Sequence, residues 1–217
     1  MIKLDILSDP VCPWCLIGKT LLDRALADLA EPPFVIEWHP FQLNPDMPRA
    51  GMDRPTYLEA KFGSPEKAVG MLMQITEHAT AAGLDIDWSA IPRMPNTLDA
   101  HRLIHWAGIE SRQNPVVDAL FRAYFFEGQD IGDRDTLAAI AGACGLDAAA
   151  IRRLLDSDAD IDVLRDREAH SRKMGVSGVP TFIVAQHHVL TGAQPTDLWQ
   201  RVIDEVMAGT PDAATQH

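Results

Sequence analysis

Two cysteines three positions apart, Cys12 and Cys15, are the residues of this chain best suited to chemistry. They stand in the segment SDPVCPWCLIG with a proline and a tryptophan between them, and the third cysteine, Cys144, lies far along the chain. Paired thiols at this spacing serve as zinc ligands, as a structural disulfide or as a redox-active dithiol. The rest of the sequence discriminates among these three uses.

Zinc and a structural disulfide both fit the sequence poorly. A structural zinc site takes four ligands, but Cys144 stands alone in an apolar segment, where we interpret it as buried and inert. His187 and His188 are adjacent on a predicted strand, so they would point to opposite faces. A disulfide between Cys12 and Cys15 would close a very small loop and remove little entropy from the unfolded chain. We therefore interpret the pair as a working dithiol and expect no metal, and a non-catalytic zinc-binding module is the less favoured alternative.

The elements predicted around the pair place it at the start of a helix. IKLDIL alternates like a strand, and from Pro13 to Leu29 apolar residues recur at helical spacing. Cys12 then falls at or beside the helix N-cap, where unpaired backbone N–H groups and the helix dipole favour a thiolate. Cys15, one turn further, is close enough to attack a mixed disulfide formed on Cys12.

The remaining chain adds strands and helices in a recognisable order. FVIEWHPF is a second strand, parallel to the first because a helix connects them. TFIVA and HVLTG form an antiparallel hairpin, Pro195 begins a last helix, and TPDAATQH reads as a frayed tail. Between these halves a charged helix from Asp160 to Met174 follows helix-start signals at Ser64, Asn96, Asn114, Asp133 and Asp147.

This order predicts an α/β fold of the form βαβ…ββα that carries a large all-helical insertion. We expect residues 1–44 and 175–217 to form one discontinuous domain, because their strands must meet in one sheet. Residues 45–174 form the insertion in this interpretation.

Composition and charge restrict the classes of partner. The chain has 217 residues and a formal net charge of -12, which argues against nucleic acid and anionic membrane surfaces as partners. No apolar run approaches the roughly 20 residues that span a bilayer. The segment MIKLDILSDP lacks the basic region and apolar core of a secretory signal. We therefore expect a cytoplasmic protein, in a compartment where stable disulfides are rare.

Two motifs together resemble a known superfamily. CPWC after a first strand and GVSGVPTFIV leading a late strand resemble the thioredoxin superfamily, and the helical insertion resembles its DsbA-like branch. With NTLDAHRLIHWA added, the chain is similar over nearly its whole length to the FrnE group of dithiol-disulfide oxidoreductases or isomerases. The scaffold also resembles the kappa-class glutathione transferases and the 2-hydroxychromene-2-carboxylate isomerases, which place a serine at the position of Cys12 and use glutathione.

The resemblance implies roles for particular residues. Cys12 would be the nucleophile and Cys15 the resolving thiol, with Pro13 and Trp14 tuning the redox potential. The thioredoxin-like loop before the late strand would supply a cis-proline, Pro180, packed against the pair, with Val179 offering its backbone to a substrate as in β-strand addition.

The motif NTLDAHRLIHWA contributes two candidate substrate-binding residues. Asn96 serves equally well as a helix cap. His101, which would favour a thiolate if it lay near Cys12, is more often a structural histidine. Many thioredoxin relatives carry a buried acid six positions before the nucleophile, and here Ile6 occupies that position. Asp9 and Glu37 are nearby acids in sequence.

Dithiol chemistry implied by the resemblance needs no metal or organic cofactor, although glutathione is a candidate co-substrate. We expect a thiol–disulfide oxidoreductase or isomerase acting on a disulfide-containing protein or a small-molecule thiol, with a homodimer left open. The alternative is a glutathione-dependent isomerase or transferase acting on a small aromatic or electrophilic substrate.

Overall fold

The computed structural model describes residues 1–209 and gives the chain an α/β architecture. Its strands are β1 (Ile2–Ser8), β2 (Phe34–Pro40), β3 (Met52–Asp53), β4 (Arg93–Met94), β5 (Thr181–Val184) and β6 (His188–Thr191). Its α-helices are α1 (Pro13–Leu26), α2 (Arg54–Phe62), α3 (Pro65–Ala81), α4 (Leu98–Ile109), α5 (Gln113–Phe125), α6 (Arg134–Ala143), α7 (Ala148–Leu155), α8 (Ile161–Lys173) and α9 (Thr196–Gly209). The predicted frayed tail, TPDAATQH, lies outside the described residues.

The central sheet has four strands in the order β2-β1-β5-β6. β1 runs parallel to β2, and β5 is antiparallel to both β1 and β6. The predicted βαβ unit and the predicted hairpin are therefore confirmed. β1 is central and almost continuously buried, as expected for a strand covered on both faces. This position fixes the end of β1, and hence the start of α1, deep in the molecule.

The helices pack on this sheet through apolar side chains. α1 lies against α9, where Trp199 is fully buried and its ring meets Phe182 of β5 edge-on at 4.9 Å between centroids. α4 and α8 pack against β2. Within residues 1–209, no helix has both the length and the apolar character that crossing a membrane requires.

The insertion differs from the all-helical prediction. β3 and β4 form a two-stranded antiparallel ladder, with Met52 opposite Met94. The prediction was wrong on this point because two strands of two residues each, some forty positions apart, leave no local periodicity. α2 was also missed, although Asp53 accepts the N–H of Thr56 at its start and Gly63, with φ +82°, ends it. The division into two domains at residues 45 and 174 stays a prediction.

The predicted helix starts are confirmed where the side chain of the predicted capping residue accepts an N–H two or three residues further along the chain. The carboxylates of Asp133 and Asp147 each accept a first-turn N–H, at 2.8 and 2.9 Å. Asn96 accepts the N–H of Leu98 at 2.9 Å. Asn114 does not start α5, which begins at Gln113, because its side chain accepts the indole N–H of Trp38 at 2.6 Å instead.

A fully buried arginine on α4 joins this helix to the segment between α7 and α8. The Arg102 side chain is 0% exposed and stacks on the ring of Trp106 at 4.9 Å. Its guanidinium donates to the Asp99 carboxylate at 2.7 Å and to four backbone carbonyls, those of Leu154, Leu155, Ser157 and Ala159. These contacts tie α4 to the end of α7 and to the segment that leads into α8.

Candidate active site

The two cysteines stand at the junction between β1 and α1. Cys12 is the N-cap of α1 and Pro13 occupies its first turn, where a missing N–H costs nothing. The N–H of Cys12 donates to the carbonyl of Asp9 at 2.9 Å, and the N–H of Cys15 donates to the carbonyl of Cys12 at 3.0 Å. Both cysteines are almost fully buried, at 3% and 2% exposure. The predicted N-cap position of Cys12 is therefore confirmed.

The sulfur of Cys12 contacts a loop from the far end of the chain. Its thiol donates to the carbonyl O of Val179 at 3.7 Å, across 167 positions of sequence. The following peptide, Val179–Pro180, is cis. Within α1 no backbone N–H donates to this sulfur. The fold thus brings the CPWC and GVPTF motifs together, with the Val179 carbonyl facing the sulfur.

A glycine in α1 sets how closely this helix approaches the proline loop. A Cβ on Gly18 would lie 3.1 Å from Cγ of Pro180 and 3.2 Å from the ring of Phe182. Both distances are tighter than ordinary van der Waals contact. Because glycine has no side chain, α1 can rest directly on the loop below the cysteine pair.

Burial controls the protonation of the inner cysteine. It raises the pKa of the Cys15 thiol well above the ordinary range of cysteine, and the neighbouring Cys12 raises that pKa further. The hydroxyl of Ser8 and the backbone of Asp9 hydrogen-bond to Cys15 and oppose this rise. Cys15 is therefore a protonated thiol at neutral pH in the reduced protein.

This raised pKa predicts a loss of stability at alkaline pH in the reduced protein. Unfolded Cys15 ionises near about pH 8.5, so its contribution to folding is complete below that pH and falls as the pH rises towards the folded pKa. The slope is at most about 1.4 kcal/mol per pH unit. Between about pH 8 and about pH 10, reduced wild type should lose roughly 1 to 2 kcal/mol more than Cys15→Ala in urea denaturation. Equal losses in the two proteins would contradict the assignment.

A cavity opens directly above Cys12. It has a volume of about 260 Å³, and Cys12, Trp14 and Val179 are among the residues that line it. Six apolar residues of the insertion also line it: Leu58, Phe62, Met71, Leu72, Ile75 and Met94. The ring of Trp14 meets that of His78 at 4.9 Å in an edge-on contact. Residues of the insertion therefore line the cavity into which Cys12 opens.

Polar and charged side chains also line this cavity. Arg54, Tyr57 and Lys61 of α2 line it together with Asn44 and Tyr124. Sequence reasoning missed all five, because nothing local connects α2 with the cysteines. The segment DRPTYLEAKFG did carry usable signals, an acidic N-cap, a first-turn proline and a terminal glycine.

The two candidates from NTLDAHRLIHWA lie outside the cavity. Asn96 donates to the carbonyl of Met47 at 2.6 Å, so its side chain organises a loop and the start of α4. His101 is buried, with Nε2 at 3.7 Å from Oδ1 of Asp9. Neither of these two atoms has a hydrogen-bond partner among residues 1–209. The other oxygen of Asp9 accepts the N–H of Leu43 at 2.7 Å.

The second acidic neighbour, Glu37, forms ion pairs with two cations. Its carboxylate pairs with Lys3 at 2.9 Å and with Arg167 at 3.1 Å. Asp5, Glu37 and His39 form a cluster with the spacing of metal ligands. Lys3 and Arg167 already pair with the two carboxylates of this cluster, so these three side chains fit a metal ion poorly.

Cys144 stands apart from the pair but is not fully buried as the sequence predicted. It is the C-cap of α6 and is half-buried, and its sulfur contacts the carbonyl O of Pro115 at 3.4 Å. The prediction was wrong because a cap residue sits at the end of the helix, beyond the apolar face that packs inward.

Comparison with known proteins defines the class to which this fold and site belong. The sequence matches the model of the DSBA-like thioredoxin domain over residues 3–204. The chain therefore belongs to the DsbA-like thioredoxin family.

Two relatives share more than a quarter of their residues with this chain. The uncharacterized protein YwbO of Bacillus subtilis is 28% identical over 205 residues, which cover 94% of this chain and 96% of YwbO. The probable DsbA oxidoreductase of Streptomyces coelicolor is 28% identical, with a TM-score of 0.85 over 97% of this chain and 92% of its own. The predicted DsbA-like assignment is confirmed.

Two solved structures of lower identity share the fold. The cytosolic disulfide reductase DsbM of Pseudomonas aeruginosa, solved with GSH, is 17% identical with a TM-score of 0.67, covering 95% of this chain and 99% of its own. 2-Hydroxychromene-2-carboxylate isomerase is 15% identical with a TM-score of 0.72, covering 94% and 96%. The predicted kinship with that isomerase scaffold is confirmed at the level of the fold.

Proposed function

We propose that this protein is a cytoplasmic thiol–disulfide oxidoreductase or isomerase of the FrnE type, with Cys12 as nucleophile and Cys15 as resolving thiol. One observation carries the proposal: two buried cysteines one helical turn apart share a junction with the Val179–Pro180 loop, and the outer one opens onto a cavity. Membership in the DsbA-like family supports thiol–disulfide chemistry. The cytosolic description of DsbM supports the compartment.

The reaction proceeds in two exchanges. The Cys12 thiolate attacks one sulfur of a substrate disulfide, forms a mixed disulfide and releases the other half as a thiolate. Cys15 then loses its proton and attacks the sulfur of Cys12, which releases the second half and leaves the Cys12–Cys15 disulfide. Two electrons pass from the dithiol to the substrate, and the reverse sequence oxidises a substrate dithiol.

The residues around the two cysteines have further roles in this mechanism. The raised pKa of Cys15 slows the second exchange, because only a thiolate attacks a disulfide. A longer-lived mixed disulfide gives a substrate time to rearrange, which favours isomerase activity. Pro13 and Trp14 tune the potential of the pair, and Val179 and Pro180 hold the substrate beside Cys12. Asn96 and His101 lie outside the cavity, so we assign them no contact with substrate.

Glutathione is the proposed recycling co-substrate, and the dithiol reaction requires no metal. Suitable partners are a disulfide-containing protein or a small-molecule thiol, and a homodimer stays a prediction. The redox equilibrium of the pair with glutathione tests the first of these assignments.

The deciding experiment equilibrates the protein with mixtures of reduced and oxidised glutathione. Free thiols are then alkylated and counted by intact-mass spectrometry, with Cys144→Ser as background to remove the third thiol. We expect a single two-electron transition that links Cys12 to Cys15. A strongly reducing midpoint would assign a reductase, and a more oxidising one an oxidase or isomerase. The absence of an intramolecular disulfide at any ratio would overturn the proposal.

The cavity beside Cys12, which has many apolar lining residues, favours one second candidate, a glutathione-dependent isomerase or transferase acting on a small aromatic or electrophilic substrate. Such an enzyme needs glutathione bound at Cys12 but no second sulfur. It would therefore keep its turnover in Cys15→Ser, whereas the oxidoreductase would not. Saturable glutathione binding with turnover of an electrophile in that variant would favour the second candidate.

A further inference from the structure

The cavity above Cys12 contains a buried positive charge that the protein does not neutralise. Arg54 is 8% exposed, and burial lowers the pKa of its guanidinium. Among residues 1–209 no carboxylate acts on this guanidinium, and its titratable neighbour Tyr124 is a phenol whose own pKa is raised by burial, so it stays neutral. Its guanidinium donates to the carbonyl O of Trp88 at 3.2 Å and lies 5.2 Å from the centroid of that ring. These contacts orient the charge without balancing it.

A second cation lies on the same wall. Nζ of Lys61 donates to the hydroxyl of Tyr57 at 2.6 Å and lies 3.4 Å from Oδ1 of Asn44. These are neutral partners, and all three residues line the cavity with Arg54. The cavity is therefore lined by two cations, although the chain as a whole carries a net charge of -12.

An unbalanced buried cation is costly, and proteins therefore pair such charges. Arginine is suited to a carboxylate because its planar fork can donate two parallel hydrogen bonds. A cavity of about 260 Å³ holds a group about the size of one aromatic ring, next to the Cys12 sulfur. A ligand of this size that carries a carboxylate would supply the negative charge that Arg54 lacks.

We propose that the cavity selects small disulfides or thiols that carry a carboxylate, and that Arg54 binds this carboxylate while the substrate sulfur meets Cys12. This inference rests on the proposed function and names its substrate class. Arg54 is then a specificity-determining residue, and its charge places the substrate in the mixed disulfide.

Two aromatic disulfides, one anionic and one neutral, test whether the cavity selects a carboxylate. Dithiobis(nitrobenzoate) carries a carboxylate on each ring, and dithiodipyridine is neutral. In each reaction the Cys12 thiolate attacks one sulfur and expels the first aromatic thiolate. Cys15 then expels the second, so two electrons pass from the protein to each probe. Both products absorb light, and the reduced protein reacts in a single turnover without a recycling reductant.

The measured quantity is the ratio of the two rate constants, anionic probe over neutral probe. In Arg54→Met we expect this ratio to fall roughly ten- to a hundredfold, the range of hydrogen bonds to charged groups. Arg54→Lys should restore part of it, because the charge remains while the fork is lost. An equal loss of rate for both probes, or an unchanged ratio, would refute the role of Arg54.

The matched control is Lys67→Met on α3. Lys67 is exposed and does not line the cavity, so the substitution changes the net charge of the protein equally. Its ratio should match wild type. A fall like that of Arg54→Met would mean that overall charge, not the cavity, selects the anionic probe.

A measurement on the wild-type protein keeps the inference testable if Arg54→Met fails to fold. Benzoate should slow alkylation of Cys12 by iodoacetamide in a saturable way, and the isosteric neutral benzamide should slow it less. Equal protection by both would overturn the inference. If reduced wild type reacts with neither aromatic disulfide, the proposed function itself fails. If it reduces both and the Arg54 variants keep the wild-type ratio, the carboxylate site alone fails.

Discussion

Replacing Cys12 by serine is expected to lower the rate of disulfide exchange by about a thousandfold or more. A serine hydroxyl keeps its proton at the pH where a thiol ionises, and it cannot form a disulfide with the substrate. The rate is measured with reduced protein and an aromatic disulfide in a single turnover. Exchange at the wild-type rate in Cys12→Ser would remove Cys12 from the mechanism.

Two other cysteine variants provide the controls. Cys15→Ser keeps the nucleophile but lacks the resolving sulfur, so it should release one aromatic thiolate and accumulate a mixed disulfide on Cys12. Intact-mass spectrometry without reductant detects this adduct. Cys144→Ser should react like wild type, because this half-buried residue lies at the end of α6. A large loss in Cys144→Ser would mean that the third cysteine, not the pair, carries the chemistry.

Replacing Arg102 by methionine is expected to lower the free energy of unfolding by about 3 to 5 kcal/mol. Methionine preserves much of the side-chain volume but leaves four backbone carbonyls and the Asp99 carboxylate without their shared donor. For a chain of this size the melting temperature should fall by roughly 10 °C. Urea denaturation and thermal unfolding measure both quantities.

The matched control for this prediction lies on α8. Arg165 is 63% exposed and pairs loosely with Asp162 at 3.7 Å. Arg165→Met should change stability by no more than about 0.5 kcal/mol, because exposed ion pairs contribute little. A similar loss in both variants would show that removing any arginine from this acidic protein destabilises it, and would refute the special role of Arg102.

The parts of the site that depend on neighbouring residues could be predicted from sequence. The alternation in β1, the helical spacing after Pro13 and the caps at Asp133 and Asp147 act within a few positions. Local physical chemistry therefore places Cys12 at the helix N-cap. The meeting of Cys12 with Val179 spans 167 positions, and only the resemblance of the two motifs to a known superfamily predicted it.

The parts that depend on packing between distant segments could not be predicted. Arg54 and Cys12 line the same cavity because of how α2 packs against α3 and the β3–β4 ladder, and no local pattern encodes that packing. His101 and Asp9 meet across more than ninety positions. Asn114 resembles a helix start, yet its side chain binds Trp38, because a distant indole N–H competes with the local cap.

The close approach at Gly18 has a consequence for transplanting this redox centre. The separation between the Cys12 sulfur and the Val179 carbonyl depends on a bare backbone position that lies outside the CPWC motif. Suppose that the four residues of the CPWC motif were grafted onto another helix with a larger side chain at the position equivalent to Gly18. Both thiols would be transferred, but the proline loop could not approach the helix closely enough to place the Val179 carbonyl beside Cys12. A portable version of this centre therefore extends at least from Cys12 to Gly18 and includes the loop on which that glycine rests.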